Sequence, residues 1–522
     1  MLDILLKWCK DHGIWIDPRL YIRHNETGTA VYTMNQDIPH SASLVHIPKS
    51  CVLSAKSCAV SSQSVFLYGH EAQYTLSLAL YFELLKGESS RWFGYLQSLP
   101  HNIVDLPIFW THTTLAHSGD GQEGTMWLRG TEVLRHLQRT PENSIEAVAD
   151  YYYNVAEPTL KQLLLNEIGM SNTYASIQGF YHAYSLVSSR AFFVDAYHGL
   201  AMVPVADAFN HAQENHIHLQ SEFSVCPHCG SLHECTHDRD GDSAQLPDDR
   251  LTSAERPVFH GEELDDVYEM VSNMPIPAHT QIFNTYGEGL SNAQLLSQYG
   301  FTLDANENDH LSWNPTDVFQ LISSRNDDQV DSGRTPLVLI WKELLLGAMG
   351  NGFVERISDS QLVYFPSEPS TQLCLDSDGK ISYPLWVLLT LPSINRVNSN
   401  TTFLLEALSE LLDYQLTLEN VVEIDENDVT QAAHQAHPLA SVAAALAHRI
   451  ITLCGDRKAK LGKVGAGDAD LGGILDVLPN NMPRTKQAIS IVMSERSILD
   501  SCESGWTDVF NLTFITCDGG VR

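Results

Sequence analysis

Cys226, Cys229, Cys235 and His237 place three thiols and an imidazole within twelve residues, the ligand set of a closed tetrahedral zinc site. Such a structural zinc would pin a polar loop that has little apolar surface to fold on. Two other chemistries share the segment. His233, Glu234, Cys235, Thr236 and His237 have the formal pattern of a zinc protease, which requires both histidines on one face of a regular helix. The Pro, Gly and Asp neighbours argue against that helix. Cys226-Pro227-His228-Cys229 also has the spacing of a thiol oxidoreductase, but that motif should open a helix after a strand, and Gly230-Ser231 do not supply this context. A metal-free surface loop is the remaining reading.

A second group is spread more widely. Asn210 and His211 follow a short apolar run, Leu200 to Val205, that reads as a buried strand. Tyr286 closes another β-rich run and precedes Gly287. Tyr299-Gly300-Phe301 follow a helix-like stretch, Asn292 to Ser297. Taken one at a time these pieces are a turn with an exposed imidazole, a strand end and a core aromatic. Their order and spacing say more. Arg190 stands twenty residues before Asn210, and Tyr286 and Tyr299 stand thirteen apart.

In that order, PVADAFNHA, IFNTYGEGLSNAQLLSQYGF, the upstream SSRAFFVDAYHGLAMVPVADAFNH and the opening NETGTAVYTMNQDIPHSASLVHIPKSCVLS resemble the SET-domain protein methyltransferases. The resemblance is to the branch of the Rubisco large-subunit lysine methyltransferase, which includes fungal-type ribosomal and non-histone lysine methyltransferases. It covers roughly residues 13 to 303. The implied fold is α+β: a β-rich SET (pseudoknot) domain split by a helical insertion, then a mainly helical C-terminal domain that helps hold the substrate protein. The implied activity is transfer of a methyl group from S-adenosyl-L-methionine to a protein lysine.

Residue roles follow from the same resemblance. Glu26, Gly28, Thr29 and Ala30 would form the donor-binding turn, with Asn210, His211 and Arg190, whose guanidinium suits a carboxylate. Relatives often carry a second glycine in this turn, so Ala30 fits only with negative φ. Tyr286 would orient amine and methyl and also meet the donor. Tyr299 and Phe301 would line the lysine channel. Asp207 either frames the target side chain or is a turn acid before Asn210.

Methyl transfer from a sulfonium needs no metal and no general acid, so positioning and electrostatics carry it. The amine must arrive neutral. A lysine of pKa ~10.4 loses its proton more readily in an apolar channel, because burial disfavours the charged form. Aromatic walls desolvate the amine and face the sulfonium. A histidine target, of pKa ~6.5, needs less help, so histidine methylation stays open as an alternative. So does a silent SET-fold adaptor that keeps the fold and binds partners.

Composition bounds the partners. Sixty-four acidic against 31 basic side chains give a net charge of -33, which opposes direct nucleic-acid binding and suits a basic protein substrate. No apolar run approaches the ~20 residues of a membrane span, and the opening MLDILLKWCKDHGIW does not read as a secretory signal. Ten sparse cysteines in 522 residues fit reduced thiols in the cytoplasm or nucleus.

The positioning elements read as follows. Residues 1–80 carry short strands, among them Ala30 to Thr33 and Leu44 to Ile47. Helical periodicity takes over from Glu71 to about Tyr184, which makes 81–180 the insertion, and 181–303 resumes the SET domain. Residues 226–257 form a polar Cys/His loop inside it, with the sheet resuming near Asp265. Residues 304–522 carry amphipathic segments, Pro336 to Ala348, Thr402 to Tyr414, Ala432 to Leu453 and Pro483 to Leu499. Gly455 to Gly473 reads as a flexible loop between two of them.

Overall fold

The computed structural model describes residues 2–25, 28–58, 60, 69–112, 119–167, 175–221, 224–232, 235–237, 267–323, 337–348, 353–366, 371–394, 400–422, 438–465 and 469–515. The chain forms two compact units. The first comprises Met1–Phe109, Thr140–Gly289 and Gln298–Gly300; the second comprises Trp110–Arg139, Leu290–Ser297 and Phe301–Arg522.

The first unit is built on a mixed sheet. Its strands are β1 (Trp15–Ile16), β2 (Leu20–Asn25), β3 (Gly28–Thr33), β4 (Ser43–Pro48), β8 (Asn210–His211), β9 (Ile217–Gln220), β10 (Val267–Ser272) and β11 (Gln281–Asn284). They lie in the order β1-β4-β10-β9-β11-β3-β2, with β8 beside β11. Strand β10 alternates half-buried and buried positions, as one covered face demands, and Tyr268 and Met270 fall on the buried side. A smaller sheet, β5-β7-β6, is made of β5 (Leu53–Ser54), β6 (Ala191–Phe193) and β7 (Leu200–Met202).

Most pairs are antiparallel, but β11 runs parallel to β8, with Phe283 opposite Asn210 and Asn284 opposite His211. Asn284 is also paired with Ile217. Two segments distant in sequence are thus clamped by main-chain bonds around the end of β11. The apolar run expected as one strand stops at Met202. Beyond it Val205 has φ 72°, a region rare for a β-branched residue and costing ~1–3 kcal/mol, which burial of its side chain sustains. This turn leads into Ala206–Ala208 and so places Asp207.

Helices Gly69–Lys86 and Ile177–Arg190 pack together. The second starts at Ser176, whose side chain accepts the Gly179 N–H, and buries Phe180, Tyr184, Leu186 and Val187. It ends on Arg190, where a cation complements the negative end of the helix.

The second unit is mainly helical, with a four-stranded sheet between helices. Its core gathers Trp341, Trp386, Leu388, Leu408, Leu446, Ile450, Val492 and Trp506. The expected loop from Gly455 to Gly473 is shorter than its composition suggested. Helix Ala440–Lys458 runs through Gly455, and a further helix, Leu471–Val477, starts where Asp470 accepts the Gly473 N–H at 3.0 Å.

A buried charge cluster ties this unit together. Glu132 accepts from Arg457 at 2.8 Å and from the Ser312 amide at 2.9 Å, while Glu495 accepts the Glu132 amide at 2.7 Å. Burial, reinforced by Glu132 and opposed by Arg457, pushes the Glu495 carboxyl up to about 8. A carboxyl that holds its proton better folded than unfolded contributes stability that is complete below its ordinary value of 4.5. That contribution is lost as pH rises through 8. Glu495→Gln keeps the acceptor for Glu132 and carries no titrating proton. Thermal melts should therefore show it gaining roughly 3–8 °C over the parent at pH 8.5 and nothing at pH 4.5. Equal shifts at both pH values would refute the assignment.

Among the described residues no helix is long and apolar enough to cross a membrane.

Candidate active site

A cavity of about 570 Å³ opens in the first unit. Its wall takes Val187 to Arg190 from the end of one helix, Ala191 to Phe193 from β6, Asp207 from the turn, Thr285 and Tyr286 from the end of β11, and Gln298 with Tyr299. Four of the residues singled out in the sequence, Arg190, Asp207, Tyr286 and Tyr299, therefore share one surface.

Asp207 is the electrostatic centre. Its side chain is only 6% exposed and accepts the Tyr95 hydroxyl at 2.9 Å. Arg190 donates from Nη1 to the Asp207 carbonyl at 2.9 Å and lies 3.7 Å from its carboxylate. Burial raises the Asp207 carboxyl above its ordinary range, although Arg190 and the Tyr95 bond both pull it down. The Arg190 Nε is buried with no hydrogen-bond partner. A guanidinium with one edge engaged and another buried donor unspent is ready for an anion.

Tyr286 is fixed through its backbone. Its N–H donates to His211 Nδ1 at 3.1 Å, and its carbonyl accepts the Tyr299 hydroxyl at 3.2 Å. The Tyr286 ring lies 4.8 Å from Tyr299 and 5.3 Å from His211, centroid to centroid. Burial lowers the His211 pKa, so the imidazole is neutral at pH 7, as its acceptor role requires. Burial likewise raises both phenols, Tyr299 to about 12, so each keeps its proton.

The other expected residues lie around this group. Asn210 sits beside His211 on β8 and does not line the cavity. In the antiparallel β3/β11 pair, Tyr32 opposes Gln281 and Val31 opposes Ile282. Going towards Tyr286 therefore means going back along β3 to Ala30, Thr29 and Gly28. Gly28 has φ 124°, which favours glycine, and nothing lies within 4 Å of where a Cβ would stand. Ala30 is not among the residues with positive φ, so the condition its alanine had to meet is met. Glu26 lies outside the described residues. Phe301 is counted with the second unit and does not line the cavity.

Reasoning from sequence missed Tyr95 and Phe192. Nothing local marks Tyr95, which meets Asp207 across 112 residues. Phe192 carried a signal, since it lies two residues beyond Arg190 in the run RAFF.

Away from the cavity, Cys226, Cys229, Cys235 and His237 come together, while His233 and Glu234 of the protease-like pattern lie outside the described residues. His237 is engaged with cysteine sulfurs at 3.6 and 3.8 Å, which leaves that pattern without its second histidine.

No protein-family model matches the chain. Among solved structures it resembles the SET domain of LSMT bound to MeLysine and AdoHcy, with a TM-score of 0.55 at 14% identity over 98% of this chain and 92% of that one. It resembles Rubisco LSMT bound to AdoMet with a TM-score of 0.52 at 16% identity over the same shares. The chain has the SET-domain fold. In this SET fold the paired β8 and β11 bring Asn210, His211 and Tyr286 to one end of the sheet. Among curated proteins the SET chain is similar to Ribosomal lysine N-methyltransferase 3 of Saccharomyces cerevisiae, 22% identical over 349 residues, 58% of this chain and 62% of that protein. It is also similar to N-lysine methyltransferase setd6 of Xenopus tropicalis, 24% identical over 315 residues, 58% and 57%. The chain thus spans about three fifths of the length of the curated relatives it matches.

Proposed function

We propose that this chain is a protein-lysine N-methyltransferase that uses S-adenosyl-L-methionine. The observation that carries this reading is the convergence of Arg190, Asp207, Tyr286 and Tyr299 on one cavity, with Tyr286 locked to His211 through its amide. The names of the curated relatives, both lysine methyltransferases, support lysine over histidine.

The residues present fit the donor. The unspent Arg190 Nε suits a carboxylate, and the open backbone at Gly28 leaves room for a close approach. Asn210, His211 and the Gly28 to Ala30 stretch would complete the binding set. When bound, S-adenosyl-L-methionine supplies an electrophilic methyl on a sulfonium. The chain's own residues do the rest. Tyr286 and Tyr299 strip water from the incoming amine and so favour its neutral form, and their protonated hydroxyls offer hydrogen bonds without adding charge.

We infer a basic, non-histone protein substrate, ribosomal or translational in kind. The charge of -33 supports a basic partner, whose encounter it would steer, and opposes nucleic acid. The mainly helical second unit would help hold that protein. Sparse cysteines, with no disulfide among the described residues, support residence in the cytoplasm or nucleus.

Calorimetric titration with S-adenosyl-L-methionine tests the reading. One saturable site per chain is expected, with affinity reduced roughly tenfold in Asn210→Ala, about 1.4 kcal/mol. A parent protein that takes up no donor at millimolar concentration would favour the silent adaptor.

A further inference from the structure

We propose that Cys226, Cys229, Cys235 and His237 hold one structural zinc ion in the crossover between β9 and β10. This site shares no residue with the methyl-transfer reading and stands without it.

The four ligand atoms all lie within 4.8 Å of one another. His237 Nδ1 is 3.8 Å from the Cys226 sulfur and 3.6 Å from the Cys235 sulfur. For Zn–S of about 2.3 Å and Zn–N of about 2.0–2.1 Å, tetrahedral angles demand sulfur-to-nitrogen separations of about 3.6 Å and sulfur-to-sulfur separations of about 3.8 Å. The two sulfur-to-nitrogen spacings match a single tetrahedral centre, and the remaining ligand pairs, all within 4.8 Å, close onto one with small side-chain shifts. A disulfide would bind two of the sulfurs and give the third sulfur and the imidazole no reason to converge.

The backbone is shaped for this use. The Gly230 N–H donates to the Cys226 carbonyl at 2.8 Å, and the Cys226 N–H donates to the Ser231 carbonyl at 2.9 Å, which closes a tight knuckle. Gly230, at φ 75°, makes the turn possible, and a Cβ there would meet the Tyr197 ring at 3.1 Å. Tyr197 is anchored in turn, because Asp195 accepts its N–H at 3.0 Å together with the His198 N–H and the Tyr268 hydroxyl. The knuckle therefore rests on the turn between β6 and β7, the hairpin whose first strand lines the cavity.

Hydrophobic burial does not explain this order. Among the described residues of the segment only Val225 and Cys226 are buried, and Leu232 is 39% exposed. A ligand-closed metal supplies the missing cohesion. Three thiolates and one imidazole in tetrahedral array favour zinc, and with four protein ligands no position is left open for catalysis.

The test uses the full, untagged chain expressed in zinc-supplemented medium. Elemental analysis should find one zinc per chain. Cobalt added to chelated protein should give the visible and near-ultraviolet bands of a tetrahedral site with three sulfurs. In Cys229→Ser and His237→Ala, both exposed positions, metal affinity should fall at least ~tenfold. A parent protein that carries no zinc and takes up no tetrahedral cobalt would overturn the proposal, as would full zinc retention in the double variant.

Discussion

Arg190→Ala is expected to weaken binding of S-adenosyl-L-methionine at least ~100-fold, about 2.7 kcal/mol, in calorimetric titration. The guanidinium stands at the end of helix Ile177–Arg190, half spent on the Asp207 carbonyl and with its Nε buried and unpartnered. An unspent buried donor on a cation is costly in the free protein, and an anionic carboxylate relieves that cost on binding. The alanine variant loses both the charge and the fork. It also takes away the cation that offsets the burial of Asp207, so that carboxyl rises further. Because Tyr95 still bonds to Asp207, the fold should survive, and circular dichroism will verify this. Arg190→Lys, which restores charge without the planar fork, should recover only part of the affinity. Parent-like binding in the alanine variant would remove Arg190 from the donor site.

Tyr286→Phe is expected to lower methyl-transfer turnover at least ~tenfold, about 1.4 kcal/mol of barrier, with donor affinity and melting temperature little changed. The hydrogen bonds that the structure gives this residue with His211 and Tyr299 use its backbone N–H and carbonyl, and its ring packs on theirs. Phenylalanine keeps all of these and deletes the hydroxyl alone. Burial, abetted by Asp207 and opposed by Arg190, holds that hydroxyl protonated, so it does not act as a phenolate at neutral pH. Its part is to orient the amine, and a loss of orientation appears in turnover more than in ground-state binding. Single-turnover rates with a peptide substrate measure it. An unchanged rate would strip Tyr286 of its role.

Several elements were legible because their signals are local. Alternation over Ala30 to Thr33 and Leu44 to Ile47 depends on residues two apart; β3 lies there with two residues added at its start and β4 with one at each end. The helical stretch after Asn292 runs to Tyr299 because the same face stays buried through Leu295 and Leu296. Where buried alternation met a turn, the reading failed. Leu200 to Val205 is continuous in hydrophobicity, yet Val205 turns the chain at φ 72° and ends the strand early. Gly455 and its neighbours suggested a loop, while packing of helix Ala440–Lys458 on helix Pro483–Ile515 carries the helix through them.

By itself the sequence determined most element types, the acidic net charge and the order of the chemically useful residues, all of which depend on composition and on neighbours within a few positions. The tertiary structure alone decided which of those residues meet. The parallel pairing of β8 with β11 joins segments more than seventy residues apart, and Tyr95 reaches Asp207 across 112. Register and burial set such meetings, and both are properties of the whole packed chain: a strand pairs where its apolar face is covered, and a buried carboxylate persists where distant donors reach it.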